Sequence, residues 1–217
     1  VFELSKVEHP HIRAAMVGHL RHIDEALARR VADGLGMIEL PAPPAAARPV
    51  QDRAPSPALR TIGKGRNTLT GRVVAILMND GTDDAAIEAL HTALVEAGAT
   101  VKLVAPRVGG AKLRDGSTFA ADGQLAGTPS VMFDAVAIVL SSSGAVELSA
   151  DAAAIDFVRD AFGHLKALML DDGGRTLLKA AGVVADAGVF DVDDLAGFIA
   201  AAGTRQWARE KTVRMLA

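Results

Sequence analysis

From residue 71 onward, short apolar runs alternate with segments whose apolar residues recur at helical spacing. Residues 72–78 are apolar after Arg72 and include β-branched residues, which is typical of a strand buried on both faces of a parallel sheet. Residues 80–97 have helical periodicity and end at Gly98, and turn dipeptides crowd residues 106–129, which predicts a hairpin there. The other predicted elements are strands over 100–105, 135–140, 165–170 and 183–185, and helices over 151–162, 174–181 and 191–202. This alternation predicts an α/β fold with a doubly wound, mostly parallel sheet.

The first 70 residues follow a different pattern. Pro10 suits the first turn of a short helix, Asp24 is a good N-cap for a second helix, and Gly34 is its expected stop. Two helices this short cannot bury a core alone, so we expect them to pack against another part of a longer polypeptide. Prolines are dense over residues 38–70, which favours an extended arm. We therefore predict a helical segment over 1–37, a Pro-rich linker over 38–70 and an α/β domain over 71–217.

Composition narrows the classes of partner and chemistry. The formal net charge of −3 gives no sign of the clustered positive field that nucleic acid or an anionic membrane requires. No apolar run approaches the ~20 residues that span a bilayer. The chain contains no cysteine, which excludes disulfides and thiolate chemistry and fits a reducing compartment. We predict a cytoplasmic protein that binds neither nucleic acid nor membranes.

The loops after the predicted strands are the candidate sites, because doubly wound sheets bind ligands beyond the carboxyl ends of their strands. Residues 79–84 read Asn-Asp-Gly-Thr-Asp-Asp, and their carboxylates would cap the next helix and repel a phosphate from its N-terminus. Gly63 and Gly65 follow no predicted strand, so they do not form a dinucleotide-binding motif. The serines of residues 141–144 read as a polar strand exit, since no basic residue is adjacent to hold an anion. These loops argue against a redox nucleotide site.

Residues 171–175 read Asp-Asp-Gly-Gly-Arg between a predicted strand and a predicted helix. This is the context of a nucleophile elbow, a strained turn that presents a reactive side chain, and Asp172 lies at its tip. Asp171 and Asp172 together have the chemistry for acid/base catalysis. Asp and Gly are also common turn residues, and a purely structural turn is the alternative that we favour.

The remaining candidates are histidines and one tryptophan. His19 and His22 share a helix face, but no further ligand has a metal-site spacing, so we predict no metal site. We expect both imidazoles to face solvent or a partner domain. Trp207, the only tryptophan, is predicted to anchor the C-terminal tail.

Several runs of residues resemble one family and occur in its order. Residues 2–8 (Phe-Glu-Leu-Ser-Lys-Val-Glu) and 31–36 (Val-Ala-Asp-Gly-Leu-Gly) resemble the end of a catalase core, and the proline-rich arm resembles the linker of large-subunit catalases. Residues 71–81 resemble the opening of the extra C-terminal domain of those enzymes, and further motifs follow at 97–106, 133–136 and 164–168. The whole chain thus resembles the C-terminal portion of a large-subunit haem catalase, with a flavodoxin-like last domain.

The resemblance implies a tetrameric haem-containing parent that disproportionates hydrogen peroxide to water and oxygen. The last domain is similar to the PfpI-type, class I glutamine amidotransferase-like group, whose active members carry an elbow cysteine. That position falls on Asp172, the usual following histidine falls on Gly173, and the acidic partner falls near Gly81, so the elbow is degenerate. Catalases ligate haem iron through a tyrosine, and this chain has none. The resemblance therefore implies no catalytic residue and no cofactor in this chain, with haem held elsewhere in the parent.

Three functions remain open. The first is a structural domain that stabilises the parent through contacts with the catalase core and the other subunits. The second is a chaperone-like module that binds unfolded client proteins through surface left exposed without that core. The third, ranked below both, is a residual hydrolase at Asp171 and Asp172. Haem uptake, suppression of client aggregation, and an esterase or deglycase screen with Asp172→Ala discriminate between them.

Overall fold

The computed structural model describes residues 1–66 and 68–213, which divide into two compact units with the chain boundary between Arg60 and Thr61. The first unit contains α1 (Phe2–Ser5), α2 (Pro10–Leu20) and α3 (Glu25–Gly34). α2 begins at its proline as predicted, and the Asp24 carboxylate caps α3 by accepting the Leu27 amide at 2.8 Å. The predicted stop at Gly34 is wrong by two residues, because Gly34 stays helical and the left-handed turn falls on Gly36, with φ +67°.

The start of the Pro-rich segment packs back onto the helices of the first unit. Arg21 Nη1 donates to the Pro41 carbonyl at 2.9 Å, and His22 Nε2 lies 2.7 Å from the Pro44 carbonyl oxygen. His22 is therefore engaged within its own unit, whereas His19 is exposed. The unit has a small core around Val17, Ala28 and Ala32. It leaves large apolar side chains exposed, including those of Phe2, Ile12, Met16, Ile23, Leu27 and Ile38.

The second unit is organised around a parallel sheet. Its strands are β1 (Val73–Leu77), β2 (Thr100–Ala105), β3 (Ala111–Lys112), β4 (Thr118–Phe119), β5 (Gly123–Gln124), β6 (Ala135–Ile138), β7 (Leu168–Leu170) and β8 (Val189–Asp191). Within the described residues the sheet order is β5-β2-β1-β6-β7-β8, with every pair parallel, and β3 and β4 form the predicted hairpin. With the two-residue β5 set aside, the second, first, third, fourth and fifth strands follow one another, which is the flavodoxin-like order. The predicted α/β class is confirmed.

Helices cover both faces of this sheet. They are α4 (Asp84–Glu96), α5 (Ser142–Leu148), α6 (Ala152–Gly163), α7 (Asp172–Ala180), α8 (Leu195–Ala202) and α9 (Glu210–Val213). Alternate residues of β1 enter two separate cores, as the period-two geometry of a strand requires. Leu77 packs in one core with Phe157 of α6 and Leu177 of α7, while Ile76 packs in the other with Ile87 of α4 and Phe198 of α8. This is the doubly wound arrangement.

Two predicted elements are wrong around the last strand. Residues 183–185 are not a strand: Val183 is buried in the core, but Val184 is 82% exposed in the loop that follows Gly182. The strand lies at β8 instead, where Val189 is the register partner of Leu168. The following helix therefore starts at residue 195 and not at 191. Three apolar residues in a row do not by themselves show whether a segment is buried or pairs with a strand.

Two further boundaries differ from the predictions. The serine-rich exit of β6 is a helix start, since Ser141 Oγ accepts the Gly144 amide at 3.2 Å and caps α5. The strand predicted over 165–170 begins only at Leu168, because Leu165 adopts a left-handed conformation with φ +59°. Short polar residues and left-handed backbone conformations change where a helix or strand begins, and hydrophobic periodicity does not predict either feature.

The C-terminal segment is anchored by an arginine. The Arg209 side chain is 0% exposed and donates to both carboxylate oxygens of Asp186, at 2.7 and 2.8 Å. It also donates to the carbonyls of Phe162 and Lys166, at 3.2 and 2.8 Å, and lies 3.8 Å from the centre of the Phe162 ring. Trp207 is 49% exposed, so it is not the anchor that the sequence predicted.

Beside the short edge strand β5, a carboxylate pairs with the backbone of β2. Asp122 Oδ2 accepts the Leu103 amide at 2.8 Å, and the Asp122 amide donates to the Leu103 carbonyl at 2.8 Å. The Lys102 ammonium lies 3.1 Å from Asp122 Oδ1. The outward-facing backbone groups at the middle of β2 are thereby paired.

Candidate functional site

The carboxyl ends of β1 and β6 are joined by a buried asparagine. Asn79 is 5% exposed. Its Nδ2 donates to the Asp80 carbonyl and to Ser141 Oγ, both at 2.9 Å. Its Oδ1 accepts from the Ser141 amide and from Thr82 Oγ1, both at 3.0 Å. An amide side chain has two donor and two acceptor positions, and the loops themselves use all four.

The same side chain fills the topological switch point. β1 and β6 are the neighbours at which the strand order reverses, which is where this fold class binds ligands. A Cβ on Gly144 would lie 1.4 Å from Asn79 Nδ2, so the amide occupies the space against the first turn of α5. Gly81 has φ +80°, and its Cβ would lie 3.3 Å from Ser141 Cβ. The two loops therefore contact each other, and the crevice between them is filled by side chains.

Of the two aspartates in the predicted elbow, Asp171 makes hydrogen bonds to the backbone. Its Oδ1 accepts the Gly174 amide at 2.6 Å and caps α7, while its Oδ2 accepts the Leu140 amide at 2.9 Å. Burial raises the pKa of Asp171, against these two backbone hydrogen bonds, and the neighbouring charge of Asp172 adds to the rise. Asp172 is the first residue of α7 and is exposed. The two carboxylates thus have different surroundings, one tied to the backbone and one in solvent.

Glycines allow the elbow helix to pack on the end of β6. A Cβ on Gly173 would lie 2.4 Å from the Leu140 carbonyl oxygen, and one on Gly174 would lie 2.4 Å from the Ile138 carbonyl oxygen. Any side chain at position 173 would therefore meet the Leu140 carbonyl and force backbone apart. The packing of α7 against the end of β6 therefore requires glycine at position 173.

An open cavity of about 360 Å³ adjoins this crevice, and Asn79 and Gly144 form part of its wall. Its charged lining residues are Asp80, Arg107, Glu147 and Asp151. Arg107 forms an ion pair with Asp80, and this hydrogen bond holds the pKa of the Asp80 carboxyl below its ordinary value. The cavity therefore has an excess of negative charge and is unsuited to phosphate. Across residues 1–66 and 68–213, no group of three or more His, Cys, Asp or Glu side chains is arranged to hold a metal ion.

A buried lysine lies at the other end of the sheet and was missed by the sequence analysis. Lys166 is 1% exposed, and its Nζ donates to the Ser130 carbonyl. Burial, followed by the charge of Arg205, lowers the pKa of Lys166 to about 8, against the opposing charges of Asp134 and Asp160. The signal in the sequence was a lysine inside a run predicted to be a buried strand.

The family follows from a comparison with known proteins. A family model described as the C-terminal domain found in long catalases matches residues 70–204. The chain belongs to this family. A second model, described as catalase-related immune-responsive, matches residues 1–35 of the same long-catalase chain. The resemblance read from the sequence is confirmed.

Curated relatives of this long-catalase domain match it along most of its length. Catalase C of Rhizobium meliloti (strain 1021) is 41% identical over 221 residues, which is 99% of this chain and 31% of the relative. Catalase HPII of Mycobacterium avium is 36% identical over 184 residues, 84% of this chain and 25% of the relative. Catalase HPII of Pseudomonas putida is 35% identical over 217 residues, 96% of this chain and 30% of the relative. The chain therefore spans between a quarter and a third of the length of these relatives.

The donor set of this long-catalase domain does not fit the haem ligation of catalases. Catalases hold haem iron through a tyrosine, and the chain contains no tyrosine. Asn79 fills the strand-end crevice, and the Asp171 carboxylate accepts the Leu140 amide after β6. No helix in the described part of the chain is both long and apolar enough to cross a membrane.

Proposed function

We propose that this chain is a non-catalytic, stabilising domain of a longer haem catalase, whose remaining part disproportionates hydrogen peroxide to water and oxygen in the cytoplasm. The observation that carries the proposal is the filled crevice at the strand ends. Asn79 and Asp171 use their side-chain hydrogen bonds to join loops, at the place where a binding site in this fold class would have groups directed at a ligand. The names and lengths of the relatives support a catalase as the parent.

The partners in this proposal are the catalase core and the other subunits of the parent. The first unit supports this role, because it has a small core and exposes apolar side chains such as Ile12 and Met16, which are 44% and 47% exposed. Contiguous exposed apolar surface marks interaction sites in soluble proteins. Haem, in this proposal, is held by the core and not by this chain.

The first experiment tests whether the chain is itself catalytic. Purified chain is incubated with haem, and the Soret absorbance and the release of oxygen from peroxide are measured against a full-length catalase as positive control. We expect neither stoichiometric haem uptake nor turnover. One haem per chain, or peroxide turnover above that of free haem, would overturn the proposal.

The second experiment tests the stabilising role in the proposed parent. Deletion of residues 61–217 is expected to lower the temperature of thermal inactivation and to leave kcat per haem unchanged. A lower kcat per haem with unchanged thermal inactivation would mean that the domain acts on catalysis and not on stability.

A second candidate is binding of unfolded client proteins, favoured by the exposed apolar side chains of the first unit. The test is suppression of aggregation of a heated client, with Ile12→Ser/Met16→Ser as the variant. Val146→Ser is the matched control, because Val146 is 67% exposed in the second unit. Suppression that the double variant loses and the control retains would support client binding. No suppression at several-fold molar excess would exclude it.

A further inference from the structure

Cations cluster where β1, β6 and β7 begin, at the end of the sheet opposite the filled crevice. Arg72 immediately precedes β1, and Lys166 lies two residues before β7. Arg205 reaches the same end from the C-terminal segment, where its Nη1 donates to the carbonyl of Asp134 at 2.7 Å. Three positively charged side chains thus lie near Asp134, the residue that immediately precedes β6.

A single carboxylate serves the two arginines of this cluster. Asp134 Oδ1 lies 3.2 Å from Arg72 Nη1 and 3.7 Å from Arg205 Nη2. Asp134 Oδ2 accepts the Val73 amide at 3.0 Å, so the carboxylate is shared between two guanidinium groups and a backbone donor. The charge of Arg205 also disfavours the charged form of Lys166, which is the second cause, after burial, of its lowered pKa. Arg72, Arg205 and Lys166 thus face the carboxylates of Asp134 and Asp160, which leaves an excess of one positive charge.

A small cavity opens on the two arginines. It measures about 190 Å³ and is lined by Arg72, Arg205 and Trp207, together with Gly63 and Gly65, which bring backbone without side chains. The described residues that line it include no carboxylate. Small-molecule sites usually measure about 300–1,000 Å³, so this cavity suits one charged group and not a whole cofactor. Arg72 and Arg205 remain accessible, with 28% and 35% of their side-chain surfaces exposed.

We propose that this cavity binds a phosphate group, free or as a monoester, between the guanidinium groups of Arg72 and Arg205. The planar fork of a guanidinium matches two phosphate oxygens, and a second guanidinium balances the second negative charge. Arg205 and Trp207 also line a neighbouring cavity of about 340 Å³, which gives room for the organic part of a monoester. The half-exposed Trp207 ring provides a face for an aromatic group there.

The sole tryptophan of the chain provides the assay, because Trp207 lies in the wall of the proposed site. Inorganic phosphate is titrated into the whole 217-residue chain at constant ionic strength, and Trp207 emission is followed. We expect a saturable change with a dissociation constant in the millimolar range. Arg205→Gln and Arg72→Gln should each weaken binding about tenfold or more, since each removes charge-assisted hydrogen bonds. Arg114→Gln is the matched control, because that arginine pairs with Asp83 at the other end of the sheet.

Two further measurements distinguish free phosphate from a monoester and control for a variant that fails to fold. Phenyl phosphate binding more tightly than inorganic phosphate, with phenol alone inactive, would assign an aromatic monoester; equal affinities would assign the free ion. Arg205→Lys keeps the charge and loses the fork, so it should bind with intermediate affinity if Arg205→Gln fails to fold. Absence of a saturable change with either phosphate, or equal loss in Arg114→Gln and Arg205→Gln, would overturn the proposal.

Discussion

Replacement of Arg209 by alanine tests which residue holds the C-terminal segment to the sheet. Arg209 makes two hydrogen bonds to Asp186 and two to backbone carbonyls, and its side chain is 0% exposed. Removal of one member of a buried ion pair costs about 3–5 kcal/mol. Asp186 is 34% exposed and regains water in the variant, so we expect a loss near the lower limit, about 3 kcal/mol.

The assay is urea denaturation, followed by Trp207 fluorescence and by far-UV circular dichroism. Trp207 reports on the second unit alone, and agreement of the two probes with an unchanged m-value would indicate cooperative loss of stability. A fluorescence transition that precedes the dichroism transition would instead indicate local release of the segment. Arg175→Ala is the control, because Arg175 and Asp191 are 43% and 47% exposed and their pair contributes only about 0–1 kcal/mol. A loss in Arg209→Ala no larger than in this control would refute the anchoring role.

Three further predictions concern the crevice, the elbow and the buried lysine. Gly144→Ala should destabilise the fold by about 1–3 kcal/mol through the clash with Asn79, and Asn79→Ala in the same chain should relieve part of that loss in a double-mutant cycle; additive losses would contradict the contact. Asp171→Ala should lower the free energy of unfolding by about 1–2 kcal/mol, whereas Asp172→Ala should change it by less than about 0.5 kcal/mol. The reverse order would show that Asp172 caps α7. The folded-state pKa of Lys166 lies below its ordinary value of 10.5, at about 8, so the folded chain loses this proton first and gains stability as pH rises between those values, by about 3 kcal/mol. Lys166→Met should remove that gain, and identical pH dependence of unfolding in the two proteins would refute the assignment.

The fold class was predictable because it depends on long apolar runs. The continuous run that became β1 and the helical periodicity that became α4 each gave an element of the right type at nearly the right place. The last strand was not predictable, since residues 183–185 and β8 are both short and both contain apolar residues. Only the pairing of β8 with β7 distinguishes them, and that pairing is a tertiary interaction.

The candidate site was predictable in location and not in detail. The loops at Gly81 and Gly173 were correctly placed at strand ends, but the sequence does not tell which of two adjacent aspartates faces the backbone. Burial of Asp171 depends on the position of the Leu140 amide, which belongs to a distant loop. The anchoring residue was misassigned for a similar reason. An aromatic side chain suggests burial and an arginine suggests exposure, yet Arg209 finds a carboxylate, two carbonyls and a ring that only the folded chain brings together.

The pairing of Asp122 with β2 has a consequence for how copies of this chain meet at high concentration. A strand from another molecule adds to a sheet by bonding a row of outward backbone groups, and exposed edges of that kind lead to aggregation. The outward amide and carbonyl of Leu103 are already hydrogen-bonded to Asp122, and Lys102 places a charge beside them. An incoming strand at this edge would have to displace the Asp122 carboxylate and bury Lys102. The few hydrogen bonds that it gained would not offset that cost. Asp122 and the short strand β5 that follows it therefore protect β2 against strand addition.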